Sequence, residues 1–557
     1  MQRHARHLLE LSPWHRLCGT GWPNSIRRTT LTSCLKVQCW PGSKSPSRNC
    51  TVRQEISLPF PYIRRHSVFP METFNLRSVQ LLIGGRAQPA ASGATFARIN
   101  PQSNQAVTEA SAASIEDARL AADAAEAAFA QWSQTGPSER RAKLLRAADL
   151  MEQQKGQFVE IMQAETGATR VWAEHNVFAA AAILREAASM TTQISGEVIP
   201  SDEGRLSFAM RQPAGVVLGI APWNAPIVLG TRAIAMPLAC GNTVVLKGSE
   251  LCPATHAKIA EVLVEAGLGN GVVNLITHAP AAAGEVVGAL IEHPAVRRIN
   301  FTGSTRVGQL IAEQAARVLK PVLLELGGKS PLIVLDDADL ERAVQAAAFG
   351  AFFNQGQICM STERIVVTPG IAAAFVRRLG DKANSIAVGD PRVSDAPLGA
   401  LASAAAGARI NALIDDALSK GAALVAGGKA EGVFMPATVL DGVTADMHIY
   451  REETFGPIVC VLHADHDDHA VTLANDTEFG LSAAVFSQNI ERAFSVTKRI
   501  RSGICHINGA TVSDEPQMPF GGTGRSGYGR FGGKAGIAEF TELRWITVAS
   551  DAPHFPI

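Results

Sequence analysis

Short apolar runs alternate with amphipathic segments between about residues 215 and 335. The apolar runs are rich in β-branched residues and read GVVLGI, NTVVLK, GVVNLI, RRINFTG and PLIVL. Segments such as CPATHAKIAEVLVEAG and STRVGQLIAEQAARVL separate them. Strands that are apolar throughout, each followed by a helix, are typical of a parallel sheet with both faces covered. The pattern therefore predicts an α/β fold with a doubly wound parallel sheet of the nucleotide-binding type.

Related patterns flank this region. Upstream, SIEDARLAADAAEAAFAQW begins with a capping box from Ser114 to Asp117, and SERRAKLLRAADLMEQQ follows Pro137, so both segments predict amphipathic helices. Downstream, a second α/β region opens with PLIVLDDADLERAVQAAAFGAFFNQGQIC and runs to GICHINGA. Residues 196–212 predict a projecting hairpin, and the half-apolar run IAEFTELRWITVAS predicts a strand able to add to a partner's sheet.

The apolar content does not predict a membrane span. The most apolar stretch, AGVVLGIAPWNAPIVLGTRAIAMPLACG, is interrupted by Pro222, Pro226, Arg232 and Pro237. It therefore lacks the uninterrupted run of about 18 apolar residues that a bilayer helix needs. Charge is balanced at 51 Lys and Arg against 51 Asp and Glu, but residues 1–70 hold eleven Lys and Arg against two Glu. The rest of the chain is net acidic, so no nucleic-acid partner is expected.

The first 70 residues differ from the rest in character. They contain four of the nine cysteines and show neither helical nor strand periodicity. Their Arg-rich, acid-poor composition is that of an organellar transit peptide, whereas a secretory signal would need an apolar core that is missing. The alternative is a mis-assigned start, with Met71 as the true one. The scattered remaining cysteines, with no metal-ligand spacing, predict a reducing compartment and no metal site.

One thiol in the second α/β region has unusual surroundings. Cys359 lies in FFNQGQICMS, among two aromatics, three amides and a glycine. A lone cysteine in an apolar α/β protein is usually inert packing, because free Cys behaves as a small hydrophobe. The polar, flexible backbone of NQGQI near a helix end can instead favour a thiolate. Both interpretations stay open on local sequence alone.

Polar residues also interrupt other apolar segments. Glu325, between VLL and LGG, is costly to bury as a charge, so it should be neutral, facing a cavity or paired, with Lys329 as one partner. Asn224 in APWNAP is, by itself, the expected N-cap of a helix. FTGSTRVG places Gly303 and Ser304 at a strand-to-helix turn, where N–H groups can bind a pyrophosphate. Because GxGxxG is incomplete, an ordinary capped helix start is the alternative.

Together, four segments resemble the aldehyde dehydrogenase superfamily. APWNAPIVLG, FTGSTRVG, LELGGKSP with NQGQICMS, and EETFGP occur in that family's order and spacing, across residues 77–550. The resemblance implies the aldehyde dehydrogenase fold and NAD-dependent oxidation of an aldehyde to a carboxylic acid. It implies that Cys359 is the nucleophile, passing through a thiohemiacetal and a thioester, that Glu325 activates water for hydrolysis, and that Asn224 binds the oxyanion.

The same resemblance implies a dinucleotide site. NAD is expected rather than NADP, because a glutamate at the position of Glu250 accepts ribose hydroxyl bonds and repels a 2′-phosphate. The residues implied to bind the cofactor are Trp223, Lys247, Glu250, Gly303, Ser304, Gly308, Leu326, Glu453 and Phe455.

The domain organisation follows from the pattern and the resemblance together. We predict a disordered extension at 1–76, a NAD-binding domain at 77–195 and 213–325, oligomerisation elements at 196–212 and 538–550, and a catalytic domain at 326–537. The oligomerisation elements predict a homodimer or homotetramer with strands paired across subunits. The expected location is cytoplasmic, or mitochondrial if the extension is a genuine transit peptide.

The substrate class rests on finer similarity. NQGQICMSTERIVV, APWNAPIVLGTRA and HINGATVSDEPQMPFGGTGRSGYGRFGG are similar to the salicylaldehyde, benzaldehyde and vanillin dehydrogenase branch. This implies a pocket with Arg232, Phe352 and Phe353 in its wall and an aromatic, hydroxylated aldehyde as substrate. Arg232 can bind a phenol oxygen, bind the distal carboxylate of a semialdehyde, or merely hold its helix in place. The alternatives are therefore a semialdehyde dehydrogenase, or a catalytically silent protein on the same fold.

Overall fold

The computed structural model describes residues 76–202, 205–549 and 557. Predictions about the N-terminal extension and its cysteines lie outside these residues. The helices are α1 Ile115–Trp132, α2 Pro137–Gln153, α3 Lys155–Thr166, α4 Arg170–Met190, α5 Pro226–Ala239, α6 Pro253–Glu265, α7 Ala283–Glu292, α8 Thr305–Arg317, α9 Leu340–Phe352, α10 Ala372–Asn384, α11 Ala404–Ser419, α12 His448–Arg451, α13 Asp467–Asn475, α14 Ile490–Thr497 and α15 Gly533–Glu539.

The strands form two large and three small sheets within the described residues. The strands that start before residue 300 are β1 Arg77–Val79, β2 Leu81–Ile83, β3 Arg86–Gln88, β4 Thr95–Ile99, β5 Ala106–Ser111, β6 Glu197–Ile199, β7 Leu206–Pro213, β8 Val216–Ile220, β9 Thr243–Lys247, β10 Val273–Ile276 and β11 Val296–Thr302. The remaining strands are β12 Val322–Glu325, β13 Ser330–Val334, β14 Thr362–Val367, β15 Ala423–Ala426, β16 Thr438–Asp441, β17 Ile458–His463, β18 Phe479–Gly480, β19 Ser482–Phe486, β20 Ile504–Ile507, β21 Thr523–Gly524, β22 Gly527–Tyr528 and β23 Thr541–Val548.

The first large sheet contains the predicted nucleotide-binding strands. Its order is β22-β12-β11-β8-β9-β10-β2-β3, and the strands from β12 to β10 run parallel. Val217 of β8 packs in a core with α2 to α6, whereas Val216 and Leu218 pack on the opposite face with α1, α7 and α8. Helices thus cover both faces, and the predicted doubly wound parallel sheet is confirmed.

The second large sheet lies in the second α/β region. Its order is β15-β16-β17-β14-β13-β19-β20, with α11, α13 and α14 on one face and α9 and α10 on the other. β12 ends at Glu325 and β13 begins at Ser330, so residues 326–329 carry the chain from the first large sheet to the second, and it returns to the first at β22. We keep the domain boundary at residues 325 and 326 as a proposal.

The predicted hairpin is present as β6 and β7. β23 pairs with β7 along its whole length, from Thr541 opposite Pro213 to Val548 opposite Leu206. The C-terminal strand is therefore paired within its own chain, and pairing across subunits stays a prediction for the free edges of this three-stranded sheet.

The predicted upstream helices also form. α1 begins with the expected capping box from Ser114 to Asp117, whereas α2 begins at Pro137 with no side-chain cap. Among the described helices, none is both long and apolar enough to span a bilayer.

Candidate active site

The connection between the two large sheets brings three sequence motifs together. Gly327 and Gly328 follow Glu325, the last residue of β12, after the intervening Leu326. A Cβ atom on Gly328 would lie 2.2 Å from the carbonyl oxygen of Cys359, and one on Gly327 would lie 2.7 Å from Oε2 of Glu453. Real side chains cannot approach this closely, so the glycines let the segments LELGGK, NQGQICM and EETFGP meet at one turn.

The loop before Cys359 is conformationally strained. Asn354 and Gln355 have φ angles of 49° and 55°, in the left-handed region that non-glycine residues rarely adopt. Two glutamine side chains fix the loop to residues 399–402, because Oε1 of Gln355 and Oε1 of Gln357 each accept a backbone N–H from that segment at 2.9 Å. The strained backbone is thus held by side-chain hydrogen bonds, which is how such strain persists at functional sites.

Cys359 is one of the two more accessible cysteines among the described residues. Cys240, Cys252 and Cys460 are buried, whereas Cys359 and Cys505 are partly exposed. Burial nevertheless raises the pKa of the Cys359 thiol, and the negative charge of neighbouring Glu325 raises it further. The resting thiol is therefore protonated and needs a base before it can act as a nucleophile.

Glu325 has the environment of such a base. It is 1% exposed, and neither carboxylate oxygen has a hydrogen-bond partner of normal geometry among the described residues. Burial raises the pKa of Glu325 to about 7, while Cys359 and Arg232 act in the opposite direction. The alternative pairing with Lys329 is excluded, because that ammonium bonds Glu363 at 2.6 Å. A carboxyl that titrates near neutral pH suits general base catalysis.

Asn224 is held from several sides next to this loop. Its Nδ2 donates to the carbonyl oxygen of Gln357 at 3.0 Å. The backbone carbonyl oxygen of Asn224 accepts hydrogen bonds from Nε1 of Trp172 at 2.9 Å and from Nδ2 of Asn354 at 3.1 Å. The helix-capping alternative is not observed, because α5 begins without a side-chain cap. An amide nitrogen carries two N–H groups, so a second donor remains for a ligand.

The turn between β11 and α8 has the form of a phosphate cradle. Ser304 is the N-cap of α8, and its Oγ accepts the N–H of Val307 at 3.4 Å. The first N–H groups of a helix lack partners within it and favour anions. A Cβ on Gly308 would lie 2.4 Å from Leu326, so glycine is needed where the inter-sheet turn packs on α8.

A charged pair follows the end of β9. Nζ of Lys247 lies 3.7 Å from Oε2 of Glu250. Burial alone would raise the pKa of Glu250, but Lys247 and a backbone hydrogen bond outweigh it, so the net shift is downward and the carboxylate is ionised. His278, which the sequence reasoning missed, is fully buried close to this pair, and its Nε2 has no hydrogen-bond partner in the described part of the chain. No pattern around it in the sequence marks it as a binding residue.

The EETFGP segment is fixed from behind by a second missed residue. Glu363 accepts the backbone N–H groups of Thr454, at 2.9 Å, and Phe455, at 3.1 Å. The ring of Phe455 lies 5.8 Å from that of Trp223 in an edge-on arrangement. Burial raises the pKa of Glu453 to about 7, although the hydrogen bond from the backbone N–H of Gly328 acts in the opposite direction.

The residues predicted to form the substrate pocket separate into two groups. Phe353 packs edge-on against Trp172 at 5.0 Å and stacks on Phe349 at 4.9 Å. Phe352 is 2% exposed and lies in the core on one face of the second large sheet, with residues of α9 and α10. The ring of Phe352 is therefore used in packing, and its predicted place in the pocket wall stays a prediction.

Arg232 is neither free nor merely buried. Its guanidinium is bonded to the carboxylate of Asp514 and lies over the ring of Phe520, 4.4 Å from the ring centroid, and within 5.4 Å of that of Phe531. Its positive charge acts on the reacting groups, since it lowers the pKa of Glu325.

Within the described part of the chain, no group of three or more His, Cys, Asp or Glu is arranged to hold a metal ion.

Comparison with known proteins agrees with this geometry. The sequence profile of the aldehyde dehydrogenase family matches residues 88–546. A vanillin dehydrogenase from Pseudomonas fluorescens is 59% identical over 86% of this chain and 99% of its own length. A salicylaldehyde dehydrogenase from Pseudomonas putida is 53% identical over 83% of this chain and 96% of its own. The crystal structure of a salicylaldehyde dehydrogenase from Pseudomonas putida G7 with salicylaldehyde superposes with a TM-score of 0.85 at 51% identity, covering 86% of this chain and 100% of that one. The chain therefore belongs to the aldehyde dehydrogenase family, as the sequence motifs predict, and has that family's fold.

Proposed function

We propose that this aldehyde dehydrogenase oxidises aromatic aldehydes to carboxylic acids, with Cys359 as nucleophile, Glu325 as base and Asn224 as oxyanion donor. The observation that carries the proposal is the inter-sheet turn, where a partly exposed thiol meets a buried carboxyl whose oxygens have no hydrogen-bond partner of normal geometry among the described residues. A structural Glu at this depth would be paired, as Glu363 is with Lys329. The unpaired state of Glu325 favours catalysis over the alternative of a silent protein on the same fold.

The first bond forms at sulfur. Ionised Glu325 takes the proton of the Cys359 thiol, and the thiolate adds to the aldehyde carbon, giving a thiohemiacetal. The oxygen that becomes negative accepts hydrogen bonds from Nδ2 of Asn224 and the backbone N–H of Cys359. Losing one such donor typically costs about 3–4 kcal/mol of transition-state stabilisation.

The second half of the reaction releases the acid. When bound, a nicotinamide cofactor would supply the hydride acceptor, so that loss of hydride from the former aldehyde carbon leaves a thioester on Cys359. Glu325, after passing its first proton to solvent, removes a proton from water, which attacks the thioester carbonyl. The carbon–sulfur bond breaks, the carboxylic acid leaves and the thiolate is restored.

The family uses NAD or NADP, and the residues present fit a dinucleotide. The cradle formed by Gly303 and Ser304 would hold the pyrophosphate, and Gly308 and Leu326 shape its floor. We propose NAD as the preferred cofactor, because the ionised carboxylate of Glu250 can accept the hydrogens of a ribose diol and would repel a 2′-phosphate.

The nicotinamide end of the cofactor would lie near the inter-sheet turn. We propose that Glu453 accepts hydrogen bonds from the hydroxyls of the nicotinamide ribose and that Phe455 and Trp223 border the nicotinamide ring. Lys247 would lie at the opposite, adenosine end of the cofactor. The Glu453 carboxylate is held in one orientation for this role, because its Oε1 accepts the backbone N–H of Gly328 at 2.8 Å.

Two observations favour an aromatic substrate over a short semialdehyde. Phe353 and Trp172 present aromatic surface next to the segment that carries Asn224. Arg232 is already neutralised by Asp514, so it offers no free positive charge to a distal carboxylate. The relatives named for vanillin and salicylaldehyde point to the same class.

The test is turnover of a substrate panel with NAD and with NADP. We expect kcat/KM for benzaldehyde, vanillin and salicylaldehyde to exceed that for succinic semialdehyde, and NAD to be the better cofactor. If succinic semialdehyde were oxidised at far higher kcat/KM than every aromatic aldehyde, the aromatic assignment would be wrong while the dehydrogenase assignment stood.

We also propose that the protein is a homodimer or homotetramer. The sheet of β6, β7 and β23 exposes Val198 at 76%, Leu543 at 61% and Trp545 at 71%. A cluster of exposed apolar side chains on a sheet with free edges is typical of a surface that another chain covers. Light scattering at micromolar protein should give at least twice the chain mass, and a monomer would contradict the proposal.

A further inference from the structure

We propose that Asp514, paired with Arg232, selects the substituent on the substrate ring. Its carboxylate accepts a hydrogen bond from a neutral ring hydroxyl, and the pair gives no net attraction to aldehydes that carry a second negative charge. This inference rests on the proposed oxidation of aromatic aldehydes and specifies which ring substituents that site favours.

The pair is held rigidly. The guanidinium of Arg232 bonds Asp514, and one of its faces lies over Phe520 with the ring centroid 4.4 Å away, while Phe531 lies further along at 5.4 Å. Stacking against aromatic rings restricts an arginine to few orientations and directs its N–H groups sideways. Arg232 therefore fixes the carboxylate of Asp514 in place instead of reaching for a ligand.

The carboxylate is the more accessible member of the pair. The side chain of Asp514 is 23% exposed, against 9% for that of Arg232. A carboxylate has more acceptor positions than one guanidinium N–H can occupy, so Asp514 keeps capacity for another donor. An approaching ring substituent would thus meet a hydrogen-bond acceptor before it meets the positive charge.

The pair lines a surface groove and acts electrostatically on the reacting groups. Arg232 and Asp514 border this groove together with Met236, Met518 and Phe520. Cys359, Glu325 and Asn224 do not line this groove. Both charges of the pair nevertheless reach Glu325, with Arg232 lowering its pKa and Asp514 raising it.

The charge of the same carboxylate acts on a histidine in the aromatic cluster formed by Trp172, His175 and Phe353. The ring of His175 stacks on Trp172 at 5.4 Å, and Trp172 faces Phe353. The negative charge of Asp514 acts on His175 by raising its pKa against the larger lowering due to burial. A ring placed between Phe353 and the pair would point its substituents, which lie far from the reacting carbonyl, toward Asp514.

The selection follows from the chemistry of the acceptor. A hydroxyl donates to a carboxylate in a charge-assisted bond, whereas a methoxy group has no hydrogen to donate. A second carboxylate on the substrate would face Asp514 as a like charge. We therefore expect hydroxybenzaldehydes to be preferred over their methoxy counterparts and carboxybenzaldehydes to be poor substrates.

The experiment compares Asp514→Asn with the matched control Glu515→Gln. Glu515 lines the same groove but bonds the side chain of Gln517 instead of Arg232. For the hydroxybenzaldehyde isomer that the wild type oxidises best, the kcat/KM ratio to benzaldehyde should fall about 10- to 100-fold in the Asn variant. The ratio for 4-carboxybenzaldehyde should rise, and the control should retain both wild-type ratios.

Benzaldehyde turnover in each preparation reports folding and the basic reaction. If Asp514→Asn keeps both ratios, the inference is overturned while the proposed function stands. If the wild type oxidises no aromatic aldehyde, the proposed function itself fails. Should the variant not fold, wild-type inhibition decides: phenol should compete with an inhibition constant about tenfold below that of anisole, and equal constants overturn the inference.

Discussion

Replacing Glu325 with Gln tests whether burial really sets the protonation of the proposed base. The amide has the shape of the carboxyl but cannot ionise. The pKa of Glu325 is raised by burial from an ordinary 4.5 to about 7. Between these values the unfolded chain has released its proton while the folded chain still holds it, so wild-type stability falls as pH rises through this window and levels off above about 7.

The size of the effect follows from the shift. One pKa unit corresponds to about 1.4 kcal/mol, so a shift of this size destabilises the ionised folded protein by about 3 kcal/mol. Glu325→Gln removes this cost, because its amide is neutral at every pH. We expect the variant to match the wild type near pH 4 and to exceed its free energy of unfolding by up to about 3 kcal/mol at pH 8.

The same variant should lose turnover at both proposed proton transfers. Without the base, deprotonation of the Cys359 thiol and hydrolysis of the thioester should each slow by about 10² to 10⁴-fold. Stopped-flow measurement should then show NADH formation that is slow from the first turnover, with at most one NADH per active site before the steady state. The wild-type rise of kcat with pH near 7 should be absent in the variant.

The measurements are urea unfolding from pH 4 to 8 and rapid kinetics, each with Glu126→Gln as the control. Glu126 lies on the exposed side of α1, so that substitution should alter neither stability nor rate in a pH-dependent way. A stability difference between Glu325→Gln and the wild type that stays constant from pH 4.5 to 8 would refute the reasoning about burial. Steady-state turnover at the wild-type rate would remove Glu325 from the mechanism.

Three further substitutions test separate parts of the site. Cys359→Ala should lower aldehyde-dependent NADH formation by at least about 10³-fold with an unchanged unfolding midpoint; wild-type rates would refute the thiol mechanism. Glu250→Gln should weaken NAD binding by about 10- to 100-fold and narrow the gap to NADP in fluorescence titrations, whereas an unchanged ratio of the two affinities would contradict the role of its charge. Lys329→Met should cost about 3–5 kcal/mol in urea unfolding, because it leaves Glu363 charged and unpaired at 4% side-chain exposure; a loss below 1 kcal/mol would show that the buried pair is not needed.

Local pattern was enough to predict the main sheet, whereas the roles of the motif residues came from the family resemblance. Continuous apolar runs followed by helices can hardly form anything other than a parallel sheet covered on both faces, and β8 to β12 do so. Cys359 and Glu325 were predicted because NQGQICMS and LELGGKSP, the segments that carry them, occur in the order and spacing of the family. The glycines of LELGGKSP are the physical cause of the pattern, since no larger residue would let Cys359 approach the end of β12.

The remaining features depend on contacts that a linear sequence does not record. Asp514 is 282 residues from Arg232, so nothing near either residue announces their pairing. Phe352 and Phe353 are adjacent aromatics, and the sequence cannot tell which one faces the core. The structure separates them because α9 ends at Phe352 and the backbone then turns into the left-handed conformation of Asn354, which directs the two rings to different surroundings.

The position of the site between two sheets explains why its parts are so strongly fixed. Glu325 ends a strand of the first sheet, whereas Glu363 lies on β14 in the second and holds the backbone N–H of Phe455. Lys329, in the short connection, bonds Glu363 and so ties the two sheets together at the point where Cys359 arrives. A change in the angle between the sheets would therefore move the base, the thiol and the proposed nicotinamide residues relative to one another. Because catalysis falls steeply with misplacement of reacting atoms, a buried ion pair in this connection is better explained by positioning than by its small net contribution to stability.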